Sequence, residues 1–456
     1  MKLVTVRIFF ITITYLFATP LLSVAQNNNS NIPTSNTVPI NTSSYFTLQQ
    51  CIDYALLNQP GLNKTLIDID IAKTTNAINL SGWLPQITAG GNLLHYLQLG
   101  SIANTNANQP QVTNQPRFNN TFIPQLSASQ SLFNPSILYA AKSAPSYVKK
   151  AEQISDSTRI NVIAAVTKSF YNVLLTLEQI SVLKEDTTRL GSSMDNAYHR
   201  YKGGIADETD YQQAAIALNN SKAQLILAKE NIKPQYATLK QLIGYPTDKH
   251  IQINFDTLQM IKNIYIDTTQ QLHYEKRIEY QQLKTQRVLQ RQLTSYYKYA
   301  FLPTASVFYN YSLGFQSSQF STLFDSESPT SVIGLSVSIP LFTGLSRSHN
   351  LHKAKLQEKI VNWSEADLKL QINREYATAL ASYKSNLYNY EMLQKNVSLA
   401  KRVYFIVDLQ YKQGIVAYLN VITAEANLIT AQINYLNALF QVLSSRVDLQ
   451  KAMGTI

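Results

Sequence analysis

The period of the hydrophobic pattern changes repeatedly along the chain, and each change predicts a new element. Apolar residues recur every three or four positions over Thr47–Asn58 and Leu62–Leu80, which is the spacing of an amphipathic helix. They then alternate with polar residues over Gln86–Leu99 and over Phe118–Phe133, which predicts two strands. Asparagine, glutamine and proline dominate Asn104–Arg117, so we expect this stretch to be the loop of a β-hairpin.

A helical pattern without a strong breaker then runs from Ser136 to Tyr201. It predicts a helix on the order of 100 Å long, several times the usual length in globular proteins. Such a helix is typical of a coiled coil or a rod. A returning helix is predicted over Glu208–Leu242, and Gly244 ends it.

The second half of the chain repeats this plan. A helix over Tyr274–Ala300 precedes an alternating stretch from Val307 to Phe315. A polar loop near Gln316–Thr330 and a second alternating stretch, Ser331–Phe342, complete another predicted hairpin at about 303–342. The first hairpin occupies about 86–133, so the two halves have the same order of elements.

Two related segments lie where the long helices end. Residues 200–214 read RYKGGIADETDYQQA, and residues 410–424, which lie 210 positions later, read QYKQGIVAYLNVITA. The matched positions include three pairs: Tyr201 and Tyr411, Gly204 and Gly414, and Ile205 and Ile415. Glycine takes the left-handed conformation that ends a helix, so both segments predict the tip of a helical hairpin. In the second hairpin a long helix runs to Lys412 and its partner covers Tyr418–Met453.

The chain therefore divides into two related halves. Repeat 1 is predicted over 47–246, with the tip of its helical hairpin at 201–210. Repeat 2 is predicted over 275–456, with its tip at 411–420. A mixed segment, 247–274, is a linker or equatorial region between them.

The first 25 residues have the composition of a secretory signal peptide. Lys2 and Arg7 precede an apolar run over Ile8–Leu22, and Ser23–Ala25 is a small-residue cleavage site. Residues 26–46 are rich in Asn, Ser, Thr and Pro, which predicts a flexible N-terminal segment. No charge-free apolar run of about 20 residues follows the signal peptide, so an exported protein without a spanning helix is expected.

Charge and candidate chemistry exclude several classes of function. The 39 Lys and Arg residues outnumber the 28 Asp and Glu, but they are scattered, which argues against a nucleic-acid partner. Cys51 is the single cysteine and lies in a helical pattern that favours burial. His349 and His352 are three apart on a predicted helix, but no third metal ligand is evident nearby. With no phosphate-binding loop or nucleophile motif, we expect neither an enzyme nor a cofactor.

The number of strands constrains how such a chain could enter a membrane. Each half offers two strands of about ten residues or more, the length that crosses a bilayer when tilted. Four strands cannot close a barrel, and an open sheet edge cannot lie in lipid. Several protomers would therefore share one barrel, with twelve strands for three protomers, although two or four would also close it. Two soluble hairpins are the alternative.

Short motifs recur in the same order in both halves. They are Leu84-Pro85 and Leu302-Pro303 before the first strand of each hairpin, Leu132–Pro135 and Leu341–Gly344 after the second, and Tyr-x-x-Gly-Ile at each tip. Together with the signal peptide and the two-fold repeat, these motifs make nearly the whole mature chain similar to the TolC family of outer-membrane efflux proteins.

This resemblance implies an α+β membrane protein of the cell outer membrane with a periplasmic extension. A homotrimer would form a 12-stranded β-barrel, with four strands per protomer, continued by a long periplasmic α-helical barrel. It would be the exit duct of a tripartite efflux pump or type I secretion system and would conduct substrates passively to the exterior. The implied partners are outer-membrane lipid, a periplasmic adaptor that docks on the tips, and an inner-membrane transporter. The docking residues would be Tyr201, Gly204, Ile205, Tyr411, Gly414 and Ile415.

The resemblance also implies an aperture at the tips. In well-known members an Asp–Tyr–Arg network between neighbouring hairpins closes it. Asp210 and Tyr411 match the first two positions, but the Arg position falls on Val416. Positions that hold rings of Asp in those members hold Asn420 and Thr423, so we expect a polar aperture with a weaker field. Asp210 also has a simpler interpretation as an acid at a helix start.

A structural protein is the competing hypothesis. A non-conducting secreted coiled-coil envelope spacer or adhesin would also have long helices. It would need neither two alternating hairpins of bilayer length at one end nor glycine tips at the other, so the pattern favours the channel.

Overall fold

The structure is a computed structural model that describes residues 45–98, 118–254, 261, 264–269 and 271–456. The predicted signal peptide, the predicted flexible segment up to residue 44, the loop Asn104–Arg117 and part of the linker 247–274 lie outside the described residues. The chain divides into two units, Met1–Tyr45 and Phe46–Ile456, and the long helices and strands that the structure describes belong to the second.

Helices dominate the part of the chain that the structure describes. They are α1 (Leu48–Asn58), α2 (Pro60–Ser81), α3 (Pro135–Lys202), α4 (Glu208–Ile243), α5 (Ile278–Tyr299), α6 (Ser346–Lys412) and α7 (Tyr418–Met453). The strands are β1 (Tyr45–Phe46), β2 (Gln86–His95), β3 (Asn120–Phe133), β4 (Gln252–Ile253), β5 (Thr304–Ser317) and β6 (Glu327–Ser338). Short 3₁₀ helices lie at Tyr274–Lys276 and Phe320–Thr322. In each half, a helix leads to two long strands, a long helix and a returning helix.

The four long strands form one antiparallel sheet in the order β2-β3-β5-β6. Pairing of β3 with β5 joins the two hairpins, and the register places Phe122 opposite both Leu93 and Phe315. Directly opposed residues share a face. One face is apolar and carries Ile87, Leu93, Phe122, Leu126, Val307, Tyr309, Tyr311, Phe315, Ile333, Leu335 and Val337. The other face is mainly polar and carries Thr88, Asn92, Gln125, Ser127, Ser131, Ser306, Asn310, Ser312, Thr330 and Ser336.

The last strand differs from the predicted one. Alternation predicts Ser331–Phe342, whereas β6 covers Glu327–Ser338, and the predicted loop Gln316–Thr330 holds strand residues at both ends and a 3₁₀ turn. Backbone pairing with β5 extends β6 back to Glu327, which lies opposite Phe315. Side-chain polarity does not reveal such pairing. Pro340 has no N–H to continue the ladder, so the strand ends before it.

The long helices α3 and α6 contain 68 and 67 residues and are therefore about 100 Å long. α3 starts directly after β3, because Pro135 suits a first helical turn and Asn134 Oδ1 accepts a hydrogen bond from Ser136 N at 2.9 Å. α4 packs along α3, and α7 packs along α6. α3 contains an 18-residue segment that is apolar enough, by length and composition, to cross a bilayer. Half of this segment is buried inside the protein, as in a core helix.

The largest apolar core lies where α1, α3, α4, α6 and α7 meet. Its fully buried side chains include Cys51, Val166, Val173, Leu239, Ile243, Tyr383, Val442 and Leu449. The Tyr383 hydroxyl donates to Ile264 O at 3.0 Å and accepts from Ile266 N at 3.1 Å, which ties part of the 247–274 linker to this core. Burial raises the pKa of the Cys51 thiol to about 12, so this residue behaves as a packed apolar group.

We expect Gly244→Ala to destabilise this core more than Gly204→Ala. Both glycines have a positive φ, +71° and +66°, and alanine there costs about 1–2 kcal/mol. A Cβ at Gly244 would also lie 2.5 Å from Asn58 O, whereas one at Gly204 meets nothing within 4 Å. Thermal unfolding of the purified protein, followed by circular dichroism, would show the larger loss for Gly244→Ala; equal losses would contradict the contact.

Candidate functional site at the helical tips

The first tip closes α3 with a complete Schellman motif. Gly204 has φ of +66° and donates its N–H to Tyr201 O at 3.0 Å. Ile205 N–H donates to Arg200 O at 2.9 Å. These two bonds satisfy carbonyl groups that the end of the helix leaves free.

The second tip repeats this geometry at the end of α6. Gly414 has φ of +74° and donates to Tyr411 O at 2.9 Å, and Ile415 N–H donates to Gln410 O at 2.9 Å. In each turn the isoleucine is forced outwards, so that Ile205 is 72 % and Ile415 is 70 % exposed. Each hairpin therefore presents one apolar side chain on a rigid turn, while Tyr201 and Tyr411 are only half-exposed beside it.

The two returning helices start differently. Asp207 caps α4, since its carboxylate accepts a hydrogen bond from Thr209 N at 3.1 Å, and Glu208 and Asp210 follow in the first turn. α7 follows Ala417, which has no side-chain cap, and its first turn has no acid. The two tips are thus alike in the turn and unlike in the helix start.

Behind the turns, a small apolar core joins the two hairpins. Its buried members are Ala197 on α3, Ala214 on α4, and Tyr418 and Val421 on α7. The Tyr418 hydroxyl is 2.7 Å from Ser193 Oγ, so α3 and α7 are also joined by a hydrogen bond. This contact holds the tips side by side within one protomer.

Val416 stands at the family's Arg position, and a different arginine, Arg200, lies against Tyr411. Its guanidinium carbon lies 4.7 Å from the centre of the Tyr411 ring, which is a cation–π contact between α3 and α6. Asp210 on α4 is close enough that its charge affects Tyr411. Burial and the neighbouring Asp207 raise the pKa of Asp210, while Arg200 opposes that rise. Asp210, Tyr411 and an arginine are therefore brought together, but the arginine comes from α3.

Tyr411 has an unusual environment. Its hydroxyl is buried and has no hydrogen-bond partner among the described residues. Burial raises the pKa of this phenol, Asp210 raises it further, and Arg200 opposes both effects. The Tyr411 phenol is therefore neutral, and its hydroxyl lacks the hydrogen bond that a buried polar group normally forms.

The remaining aperture residues lie at the start of α7. Val416 is half-buried in the turn, and Asn420 and Thr423 are exposed. Thr423 Oγ1 donates to Leu419 O at 2.8 Å, so its hydroxyl proton is used within the helix. Neither Asn420 nor Thr423 carries a charge. Within the described ranges, no group of three or more His, Cys, Asp or Glu side chains is arranged to hold a metal ion, His349 and His352 included.

A comparison with protein families identifies the chain. The sequence model of the family described as outer membrane efflux protein matches residues 51–245 and 278–455, which are most of the two halves. The chain belongs to the outer membrane efflux protein family. Members of this family lie in the outer membrane and have a helical extension in the periplasm, and this places the chain there as well.

Individual relatives agree with the family assignment. The chain is 25 % identical over 221 residues to toxin and drug export protein A of Aggregatibacter actinomycetemcomitans, covering 48 % of this chain and 46 % of that protein. It is similar in fold to the CmeC outer membrane channel of Campylobacter jejuni, with a TM-score of 0.71, 22 % identity, and coverage of 90 % and 85 %. The MtrE outer membrane channel of Neisseria gonorrhoeae, in its open state, gives a TM-score of 0.71, 20 % identity, and coverage of 89 % and 88 %. The sequence alignments span less than half the length of the curated relatives.

Sequence reasoning missed two arginines of this efflux family member. Arg200 was overlooked because its contact with Tyr411 joins residues 211 positions apart in the chain. Arg189 forms a buried ion pair with Glu425, and a signal for that pair exists: Glu425 is the only charged residue between Lys412 and Arg446. An isolated acid on a long apolar helix indicates a buried partner.

We expect Arg200→Gln to loosen the tips without unfolding the helices. Loss of the cation–π contact costs about 1 kcal/mol, or roughly fivefold in the local opening equilibrium. Hydrogen exchange at residues 203–206 and 413–416 would be faster by that factor. The control is Lys202→Gln, because Lys202 lies over Tyr198 of its own helix, at 5.7 Å, and joins no hairpins. Equal acceleration in both variants would contradict the role of Arg200.

Proposed function

We propose that three copies of this chain assemble into a 12-stranded outer-membrane barrel with a periplasmic helical duct. The duct conducts substrates passively from a periplasm-spanning assembly to the exterior. The observation that carries this proposal is the four-stranded sheet, which has one apolar and one mainly polar face and an unpaired strand at each edge.

The dimensions of the sheet support a membrane span. Its strands have 10, 14, 14 and 12 residues, and roughly 9–11 tilted residues cross a bilayer. The apolar face fits lipid, and the polar face fits a watery lumen. β2 and β6 have one strand neighbour each, so closure requires β6 of one protomer to pair with β2 of the next.

The tips support docking of a periplasmic adaptor that links the duct to an inner-membrane transporter. An adaptor needs an exposed and rigid feature, and the glycine turns at Gly204 and Gly414 present Ile205 and Ile415 in this way. Tyr201 and Tyr411 flank these turns. The transporter supplies the energy and selects the substrate, whether a small molecule or a secreted protein.

The aperture of this duct is polar and carries little charge. Asp210, Val416, Asn420 and Thr423 lie around the start of the returning helices, and Asp210 is the only acid among them. Arg200 offsets that acid. We therefore expect weak ion selectivity and weak block by multivalent cations.

The competing function, a non-conducting envelope spacer or adhesin, does not account for the sheet. A spacer gains nothing from an apolar face of bilayer length with both edges open.

The first test combines particle mass with conductance. We expect the native particle, extracted from outer membranes in detergent, to contain three protomers by light scattering corrected for bound detergent. The same particle in a planar bilayer would open a steady ionic pathway. A monomer without conductance would overturn the duct and favour the spacer.

The second test concerns the tips. We expect the double variant Ile205→Asp/Ile415→Asp to keep its trimeric mass and conductance, because the substitutions lie on exposed turns. Cells in which the double variant is the only copy of this protein would retain a fluorescent dye that wild-type cells expel. The reason is that the two introduced carboxylates oppose docking of an apolar adaptor surface on the tips. Ile226→Asp on α4 is the control, because Ile226 is also exposed, at 61 %, but lies away from the tips. Normal dye release by the double variant would contradict docking at these residues.

A further inference from the structure

A buried charged cluster joins the two helical hairpins behind the tips. Arg189 on α3 donates from Nε to Glu425 Oε1 on α7 at 2.6 Å and from a terminal nitrogen to Asp186 Oδ1 at 2.5 Å. Asp186 and Glu425 are each 1 % exposed, and the Arg189 side chain is 25 % exposed. Two ion pairs join the hairpins in the described part of the chain, Arg189–Glu425 and Lys168–Asp448, and only in the first is the acid fully buried.

All four helices of the two hairpins meet at this cluster. Ser221 on α4 donates to Asp186 Oδ2 at 2.7 Å and is 3.0 Å from Thr187 Oγ1. The Tyr404 ring on α6 lies 5.2 Å from the Arg189 guanidinium. Arg189 on α3 therefore contacts both helices of the second hairpin, α6 through Tyr404 and α7 through Glu425.

The charges in the cluster do not balance. Two carboxylates face one guanidinium, and Glu425 Oε2 is buried without a hydrogen-bond partner among the described residues. Besides Asp186 and Arg189 on α3, the titratable groups that influence Glu425 are Asp408 and Tyr404 on α6 and Tyr418 on α7 itself. From α4 the cluster receives only the Ser221 hydroxyl. Arg189 is thus the cation that pairs with both buried acids, while Asp408 pairs with Lys412 at 2.7 Å.

We infer that Arg189 and Glu425 are positioning residues that hold the second hairpin against the first, and that proton uptake by this cluster strengthens that hold. The inference rests on the proposed duct, because it assumes that the hairpins separate when the tips open. The cluster would restrain opening from a position behind the tip contacts, and the strength of this restraint would depend on pH.

The direction of the pH effect follows from burial. Burial raises the pKa of Glu425 above its ordinary value of 4.5 and that of Asp186 above 3.8, although Arg189 opposes both shifts. Separation of the hairpins would expose these groups and return their pKa values towards the ordinary ones. A raised pKa means that the packed state binds protons more strongly. Packing of the hairpins is therefore strongest in acid. It weakens as pH rises from the ordinary pKa of these acids, which applies to the separated state, through their raised pKa in the packed state.

The test measures the separation of the tips directly. Spin labels on Lys202→Cys and Lys412→Cys report the distance between the hairpins in the full-length trimer in detergent. Native Cys51 is fully buried with a pKa of about 12, so it stays unlabelled. We expect the separated population of the wild type to grow as pH rises above 4.5.

Four variants distinguish the cluster from general packing. Arg189→Gln leaves two buried acids unpaired, so the separated population at neutral pH rises at least roughly tenfold, and acid restores packing. Glu425→Gln mimics the protonated residue and is expected to stay packed with a weaker pH response. The double variant Arg189→Gln/Glu425→Gln would lie between them, because it removes one of the unpaired charges. Asp448→Asn is the matched control, since Lys168–Asp448 also joins α3 to α7, at 2.6 Å, but is exposed.

Two results would overturn the inference. One is a distance distribution that does not change with pH in the wild type. The other concerns Arg189→Gln. The inference fails if the hairpins of this variant stay packed, and it fails if they separate but acid does not restore packing and the added Glu425→Gln does not reduce the separated population. Conductance of the same samples tests the proposed function separately. A wild type that responds to pH but never conducts would support the cluster and reject the duct.

Discussion

The two unpaired edges of the four-stranded sheet are the constraint on which the rest of the molecule depends. β2 and β6 each expose a row of backbone N–H and C=O groups, and the sheet has an apolar face. In hydrocarbon each unsatisfied group costs several kcal/mol, so a single copy has no stable position in lipid. In the proposed barrel, insertion and assembly are therefore coupled.

The low charge and high tyrosine content of the chain fit the proposed position of its helices in a duct. A helix that lines a duct faces neighbours on two sides and water on the others, so a broad apolar face is not available to it. Only 15 % of residues are charged, while 28 are tyrosine. Tyrosine buries a large ring and still satisfies a polar tip. Tyr383 in the core, Tyr418 behind the tips, and the stacked pair Tyr390–Tyr435 between α6 and α7 all serve in this way.

The sequence predicts helices and strands that have a strong local period. It does not predict features that depend on contacts between neighbouring helices or strands. The predicted helix Tyr418–Met453 matches α7 in full, because its period is strong and glycines lie at both ends. Side-chain alternation predicts strand β6 four residues too far along the chain, because its first residues are strand only through backbone pairing with β5. The Arg200–Tyr411 and Arg189–Glu425 contacts join residues more than 200 positions apart, and no local pattern encodes which helices become neighbours. The family resemblance points to Asp210 and Tyr411 and finds Val416 at the family's Arg position, and it gives no reason to expect a contact between Arg200 and Tyr411.

The unequal starts of α4 and α7 have a consequence for local unfolding. A side-chain cap contributes about 1 kcal/mol to the first turn of a helix. Asp207 provides it on one side, and Ala417 does not on the other. The start of α4 is thus held by its own cap, whereas the start of α7 is held by the buried Tyr418, whose hydroxyl is 2.7 Å from Ser193 Oγ on α3. In a three-fold ring the lower edge would alternate between six helix starts, three capped within their own helix and three held by the other hairpin, so separation of the hairpins would release only the latter.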